Sequence, residues 1–567
     1  MPSSPRLHPH RNHSALLETI VLAMAMAGLP AVAQTPPVDA GRVLQETRPP
    51  LEQAPAVSVP PVEAPARPRA PAAVGDVRVQ VTGFAFTGNK AFSSAELDAA
   101  LTAWKGRSLT FGDLIEAVEA VEARYRASGY FLAQAYLPPQ KIKDGIIEIA
   151  VSEGRLGETR LEGESLIMSG VLYGYLDRLP KGQPLTLPEI ERQILLVNEL
   201  AGSRATLDLQ AGAVPGTTDV VLALKADDAL NGRAELNNHG LPSTGQKRLG
   251  VSFDANSPFG LGERLSFSAL SSENRNLTSY NLRGELPLGA DGWRVLAGAS
   301  RAEYSLGGSF TALEASGSAD SLRIGVAYPF IRSRAANLKL QLEADDNKLV
   351  DHFRAYGYDL DKHSRALTAT LSGDSLDEIM GGGATRAELA LRSGQLLLGP
   401  VAAAFDAPPG GLGTAGHFEK LIVSIQRQQT LNRDWSLQLQ FLQQWASKNL
   451  DSSEKLMLGG PATLPGYASG EASGDEGVFA KIAMRGQLTP GLALSAFTDY
   501  GRLRLNRNPL AGTTNNAKRL TDAGIAADWA IGKGFAASAI LAWAGKEAPN
   551  PADNDRPRFW FNLGYAW

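Results

Sequence analysis

The side chains able to do chemistry are few in this chain, and they are scattered. Beyond the first 33 residues four histidines remain, His239, His352, His363 and His417, and the chain has no cysteine. Zinc sites bring His and Cys together at short, regular intervals, and no such interval occurs. The stretch from Gly240 to Lys247 has glycines and a lysine but no Gly-Lys pair, so it is not a phosphate-binding P-loop. No G-x-S-x-G elbow is present to raise a nucleophilic serine. Carboxylates are plentiful, but they alternate with apolar residues and read as one face of strands. The chain is therefore expected not to be an enzyme, with no catalytic residue, cofactor or metal and no ATP-driven step. A net charge of -4 gives no basic field for nucleic acid.

The informative spacing is structural. The last nine residues are Phe559-Trp560-Phe561-Asn562-Leu563-Gly564-Tyr565-Ala566-Trp567. Phe559, Phe561, Leu563, Tyr565 and Trp567 share one face of a strand. Such a face is buried in a soluble protein, whereas in an outer-membrane β-barrel it closes the barrel against lipid. That location requires export. Residues 1–33 carry Arg6 and Arg11, then an apolar stretch from about Ala15 to Pro30, then Ala31-Val32-Ala33 before Gln34. This is expected to be a signal peptide.

Residues 34–75 are rich in Pro and Ala and read as a linker. Within them Asp39 to Thr47 reads either as a short helix or as more spacer. Residues 76–153 and 154–227 read as two copies of a β-α-α-β-β unit. Val77, Val79 and Val81 alternate as the first strand. Ser93 with Glu96 and Thr110 with Asp113 cap two helices. Leu109-Thr110-Phe111-Gly112-Asp113-Leu114 returns as Leu185-Thr186-Leu187-Pro188-Glu189-Ile190. Residues 228–567 lose the helical period. Leu338, Leu340, Leu342 and Ala344 alternate with charged and polar residues, and Leu421, Val423 and Ile425 alternate with Lys420, Ile422 and Ser424. Trp435 and Trp445 bracket Leu437, Leu439 and Phe441 on one face. Ten steps tilted by roughly 40° rise about 25 Å, the height of the apolar band. At roughly 21 residues per strand and connection, this region holds about 16 strands. A soluble β-sandwich or solenoid shares the alternation, but not the export signal or the terminal strand.

Two such units before a large barrel resemble the POTRA–barrel architecture of the Omp85 superfamily. The count of two points to its two-partner secretion branch, the TpsB transporters of the ShlB/FhaC/HecB type. In the first unit the matching residues are Phe86-Thr87-Gly88-Asn89, Tyr125, Gly129-Tyr130, Leu137-Pro138, Gln140, Gly145 and Glu153-Gly154. In the barrel they are Gly459-Gly460-Pro461-Ala462-Thr463-Leu464-Pro465-Gly466-Tyr467, then Gly470-Glu471, Gly474-Asp475 and Gly477. These resemble the long loop that folds back into such barrels, here about residues 447–477. Its tip, usually V-R-G-Y or R-A-Y, is Leu464-Pro465-Gly466-Tyr467 in this chain. The wall partner F-x-D is matched by Phe497-Thr498-Asp499.

The resemblance implies that the tip arginine pairs with this aspartate, yet Pro465 stands where arginine is expected. Proline has neither charge nor N–H. Either water or another cation must then serve Asp499. The loop is still expected inside the barrel, with Gly466-Tyr467 near Asp499 and no Arg–Asp bridge. The resemblance further implies an outer-membrane transporter with its POTRA units in the periplasm. It would export a large TpsA-type exoprotein, with outer-membrane lipid and the barrel assembly machinery as its other partners. Residues 39–47 would plug the pore at rest. The rivals are an Omp85-type assembly factor and, further off, a passive porin or ligand receptor.

Overall fold

The computed structural model describes residues 38–48, 78–545 and 557–567. The signal peptide, most of the Pro/Ala-rich linker and Val77 lie outside these residues. Among the described residues no helix is long and apolar enough to cross a membrane.

Sixteen antiparallel strands close a barrel, from Leu230–Asn237 to Arg558–Ala566. The alternation explains the wall. On Trp435–Ala446 the two tryptophans and Phe441 are exposed on the outer face. On the last strand Phe559, Leu563, Tyr565 and Trp567 are exposed, while Trp560 points inward and is buried. The barrel closes where Asn562 pairs with Asn237 and Ala566 with Arg233. Trp567 and Gly232 exchange two backbone hydrogen bonds of 3.0 Å just beyond.

Wall height is uneven. Strands next to the closure have eight to ten residues, whereas Ala315–Arg332, Ala336–Phe353 and Tyr358–Asp377 have 18, 18 and 20. A 20-residue strand tilted by roughly 40° rises nearly 50 Å, well past an apolar band about 25 Å tall.

Two small α+β units precede the barrel, and their sheets have the same order and sense. In the first, Gly83–Thr87 lies parallel to Ile146–Ser152, which pairs antiparallel with Gln134–Tyr136. In the second, Arg155–Gly163 lies parallel to Thr217–Ala226, which pairs antiparallel with Ser203–Ala211. Capping boxes at Ser93/Glu96, Thr110/Asp113 and Thr186/Glu189 start three of the helices.

The first unit is not a plain β-α-α-β-β. Residues Arg78–Val81 leave the main sheet to pair with Arg107–Thr110, and Gly83–Thr87 supplies the sheet's first strand instead. The physical reason is a change of phase. Val79 and Val81 point to the core on odd positions, and Phe84 does so on an even one, so the chain must break at Thr82.

The motif residues of this unit hold it together. Glu153, buried, accepts hydrogen bonds from the Tyr125 hydroxyl at 2.9 Å and from the Lys90 and Ala91 amides. Burial and this carboxylate push the Tyr125 hydroxyl well above the usual phenol range. Gln140 makes a two-way bond with the backbone of Glu148, at 2.7 and 2.8 Å.

The second unit is bolted to the near end of the barrel. Arg178 meets Asp291 at 2.7 Å, Arg294 meets Glu199 at 3.1 Å, and the Met168 amide donates to the Gly260 carbonyl at 2.8 Å.

Candidate functional site

Residues 447–475 join two wall strands at the end of the barrel away from the small units, and they turn back into the lumen. Glu476 and Gly477 belong to the strand Glu476–Thr489. Gly477 is therefore a wall residue rather than the loop residue expected from sequence, because the ladder has already begun with Glu476 opposite Arg504 and Gly477 opposite Leu503.

Four sets of contacts hold the loop. At its entry Glu454 lies between Arg392, at 2.8 Å, and Lys420, at 2.9 Å, and Arg392 also grips Asp345. All four side chains are shielded from solvent. At its exit the buried Asp475 takes Lys455 at 2.9 Å and the amides of Leu450 and Arg507 at 3.1 and 2.7 Å. Between these, the hairpin Leu456–Leu458/Ala472–Gly474 and the side chains of Leu464 and Tyr467 pack on Phe479, Leu503 and Leu520 of the wall.

Glycines shape the path. Gly459 and Gly460 adopt positive φ at 107° and 91°, and the Gly460 amide donates to the Tyr467 carbonyl, which closes the turn.

The fourth contact set is the tip. The Pro465 carbonyl accepts a 2.7 Å hydrogen bond from the Trp560 indole N–H. The Gly466 amide donates to Asp522 Oδ2 at 2.6 Å, and the Tyr467 hydroxyl donates to the Thr521 carbonyl at 3.0 Å. Any Cβ on Gly466 would fall 2.7 Å from the Asp522 side chain and 2.9 Å from the Ala544 nitrogen, so only glycine permits this approach.

Asp499 faces Asp522 across the ladder, so the tip lies beside it through Asp522 rather than touching it. Asp499 is only 3% exposed and is not a solvated lumen residue. Its cation is Lys481, at 3.6 Å, which also lies 4.3 Å above the Phe497 ring. One lysine thus serves two facing carboxylates, and the second of them holds the loop.

Sequence reasoning missed Asp522, Trp560, Glu454 and Arg392. Trp560 carried a usable signal, since an aromatic of the wrong parity in a lipid-facing strand must point inward. The charge-assisted bond to Gly466 contributes about 1.5–3 kcal/mol. Asp522→Ala should therefore expose the tip, with Asp522→Asn near wild type because its amide oxygen still accepts. Maleimide labelling of a Leu464→Cys reporter would read this, and equal labelling of both variants would remove Asp522 from the account.

A helix, Ala40–Thr47, also lies in the lumen. Val43 and Leu44 pack on the inward residues Leu277, Tyr304 and Leu349. Asp39 caps the helix and meets Lys362 at 2.9 Å and Ser452 at 2.6 Å. The Ala40 amide donates to Asp351 at 2.7 Å, and Glu46 meets Arg248 at 3.0 Å. The helix touches the loop as well as the wall. Gln45 donates to the carbonyls of Ser452 and Lys455 at 2.7 and 3.0 Å, and Arg42 donates to that of Gly470.

The lumen is thus occupied by two pieces of the chain's own backbone. Among the described residues no cluster of His, Asp or Glu is placed to hold a metal. His352 and His363 instead pair with Asp359 and Asp346, both at 2.7 Å.

The family model described as "Haemolysin secretion/activation protein ShlB/FhaC/HecB" matches residues 216–529, more than half of the chain, and one for the ShlB-type POTRA domain matches 79–154. The chain belongs to the ShlB/FhaC/HecB family. The heme/hemopexin transporter protein HuxB of Haemophilus influenzae is similar, 26% identical over 485 residues and 84% of each chain. The hemolysin transporter protein ShlB of Serratia marcescens is 23% identical over 81% of each chain. The solved structure of CdiB from Escherichia coli shares the fold, with a TM-score of 0.68 at 18% identity, covering 91% of this chain and 94% of that one. Family members of this kind are two-partner secretion transporters of the outer membrane, and this chain is one, with its POTRA units on the periplasmic side. The loop 447–475 accordingly enters from the extracellular end.

Proposed function

We propose that this transporter exports one large partner exoprotein through the barrel lumen, and that the helix 40–47 and the loop 447–475 are two stops that must yield first. The observation that carries this reading is the chemistry of the stops. Beside their apolar packing, both are tied to the wall by ion pairs and hydrogen bonds. Water entering with a cargo can replace the polar contacts one at a time, each at a net cost of about 1–3 kcal/mol.

The POTRA sheets leave edges at Gly83–Thr87, Gln134–Tyr136, Arg155–Gly163 and Ser203–Ala211. An extended segment of the cargo can add to such an edge through backbone hydrogen bonds. With no nucleotide site in the sequence, folding of the emerged cargo outside the cell supplies the drive. Outer-membrane lipid surrounds the wall, and the barrel assembly machinery inserts it.

The test is a deletion strain with quantification of its secreted and surface proteome. Loss of one large exoprotein, restored by the wild-type chain, is the expected result. A general fall in outer-membrane barrels would instead establish an assembly factor.

A further inference from the structure

The loop tip hangs on a pair of acidic side chains whose charges the wall does not balance. Asp499 and Asp522 are both buried and stand opposite one another on adjacent strands. Their carboxyl groups lie within hydrogen-bonding reach of each other. Among the described residues no hydrogen-bond donor serves either oxygen of Asp499 or the Oδ1 of Asp522. Two carboxylates in that position repel, whereas a carboxylic acid and a carboxylate bond through the proton between them.

The charge count asks for the same proton. Lys481, from the neighbouring strand, is 3.6 Å from Asp499 and balances one negative charge, not two. Further along that strand Arg485 is taken by Asp528. The inward neighbours Phe479, Phe497, Leu520 and Gly524 carry no charge. From the loop Tyr467 faces the pair, with its hydroxyl given to the Thr521 carbonyl. Arg558 and His239 lie against the Trp560 ring instead, 5.9 and 6.0 Å from its centre.

We propose that Asp499 and Asp522 share one proton while the tip is seated, and that losing it frees the tip. Asp499 donates the proton to Oδ1 of Asp522, which leaves Oδ2 for the Gly466 amide. The pair is then a latch that alkali loosens, whatever cargo the transporter carries. The sign follows from counting protons. With the tip released, both carboxyl groups meet water and are ionised above about pH 4. The seated state holds one proton more. Seating therefore weakens as pH rises above that value, by up to about tenfold per pH unit, until the seated pair has lost its proton too.

The test labels a Leu464→Cys reporter from outside in the full-length, membrane-embedded chain, alone and combined with Asp499→Asn or Asp522→Asn. Either asparagine amide donates permanently where the proton sat and keeps the charge balance with Lys481, so both variants should lose the pH response. The reporter's labelling rate, divided by that of either variant, should climb about tenfold or more between about pH 6 and about pH 9. The division cancels the reagent's own pH dependence and the titration of His239, which all three chains share. A ratio that stays flat or falls would overturn the shared proton, and each variant decides the matter if the other does not fold.

Discussion

Gly41→Leu should turn a mostly closed barrel into an open channel. A Cβ at Gly41 would stand 2.3 Å from Ser452 Oγ and 2.7 Å from the Ser453 nitrogen. The hydroxyl can swing aside, but the backbone nitrogen belongs to a loop anchored on both sides by buried ion pairs. The helix must move instead. Overpacking of this kind costs about 1–3 kcal/mol. A displaced helix also loses the capped seat of Asp39 on Lys362 and part of the burial of Val43 and Leu44. A total near 3 kcal/mol shifts the seated fraction by roughly 150-fold. Planar-bilayer recordings should show long-lived open states, and cells should admit large antibiotics that the wild type excludes, with Gly41→Ala intermediate. Unchanged conductance from a correctly folded Gly41→Leu barrel would mean that the helix is not what closes the lumen.

Arg392→Ala should release the loop without dissolving the barrel. The guanidinium is buried and joins Asp345 of the wall to Glu454 of the loop. Removing it leaves two buried carboxylates, with only Lys420 for Glu454. Breaking a buried pair by deleting one partner costs about 3–5 kcal/mol, more than the pair itself is worth. The loop can avoid that penalty by moving Glu454 into water, whereas the sixteen-strand ladder is held by backbone hydrogen bonds that the substitution does not touch. Because the chain has no cysteine, a Leu464→Cys reporter works in an otherwise silent background. It should be unreactive in the parent and labelled from outside in Arg392→Ala. The double variant Arg392→Ala, Asp345→Asn, which keeps the net charge and leaves Glu454 paired with Lys420, should recover most of the protection. Labelling that stays low in the single variant would place the loop's stability elsewhere.

The barrel was legible because its signal is repeated. A strand with one face in lipid must alternate along its whole length, and Phe559 to Trp567 does so with five large side chains. The duplicated POTRA units were legible for the same reason, apart from the break at Thr82, where a shift of one residue in phase looks like a single longer strand.

The hold on the loop tip was not legible, and the cause is specific. Pro465 announces that an arginine's contact is missing, but what stands in its place is the Pro465 carbonyl and the Gly466 amide. A carbonyl is carried by every residue and an amide by nearly all, so side-chain letters cannot reveal which of them are used. Glu454 was obscure for a different reason. Its partners Arg392 and Lys420 sit about 62 and 34 residues earlier, on strands whose neighbours are known only once the barrel is closed.

The low side of the wall has a consequence for the bilayer itself. Leu230–Asn237 and Arg558–Ala566, with eight and nine residues, meet at the closure. Nine residues tilted by roughly 40° rise only about 20 Å. A hydrocarbon layer near 25–30 Å cannot match that edge without compressing, while the tall side imposes no such demand. The surrounding membrane must therefore be thinnest beside the closure, and acyl-chain length becomes a variable that acts on one flank of the protein alone.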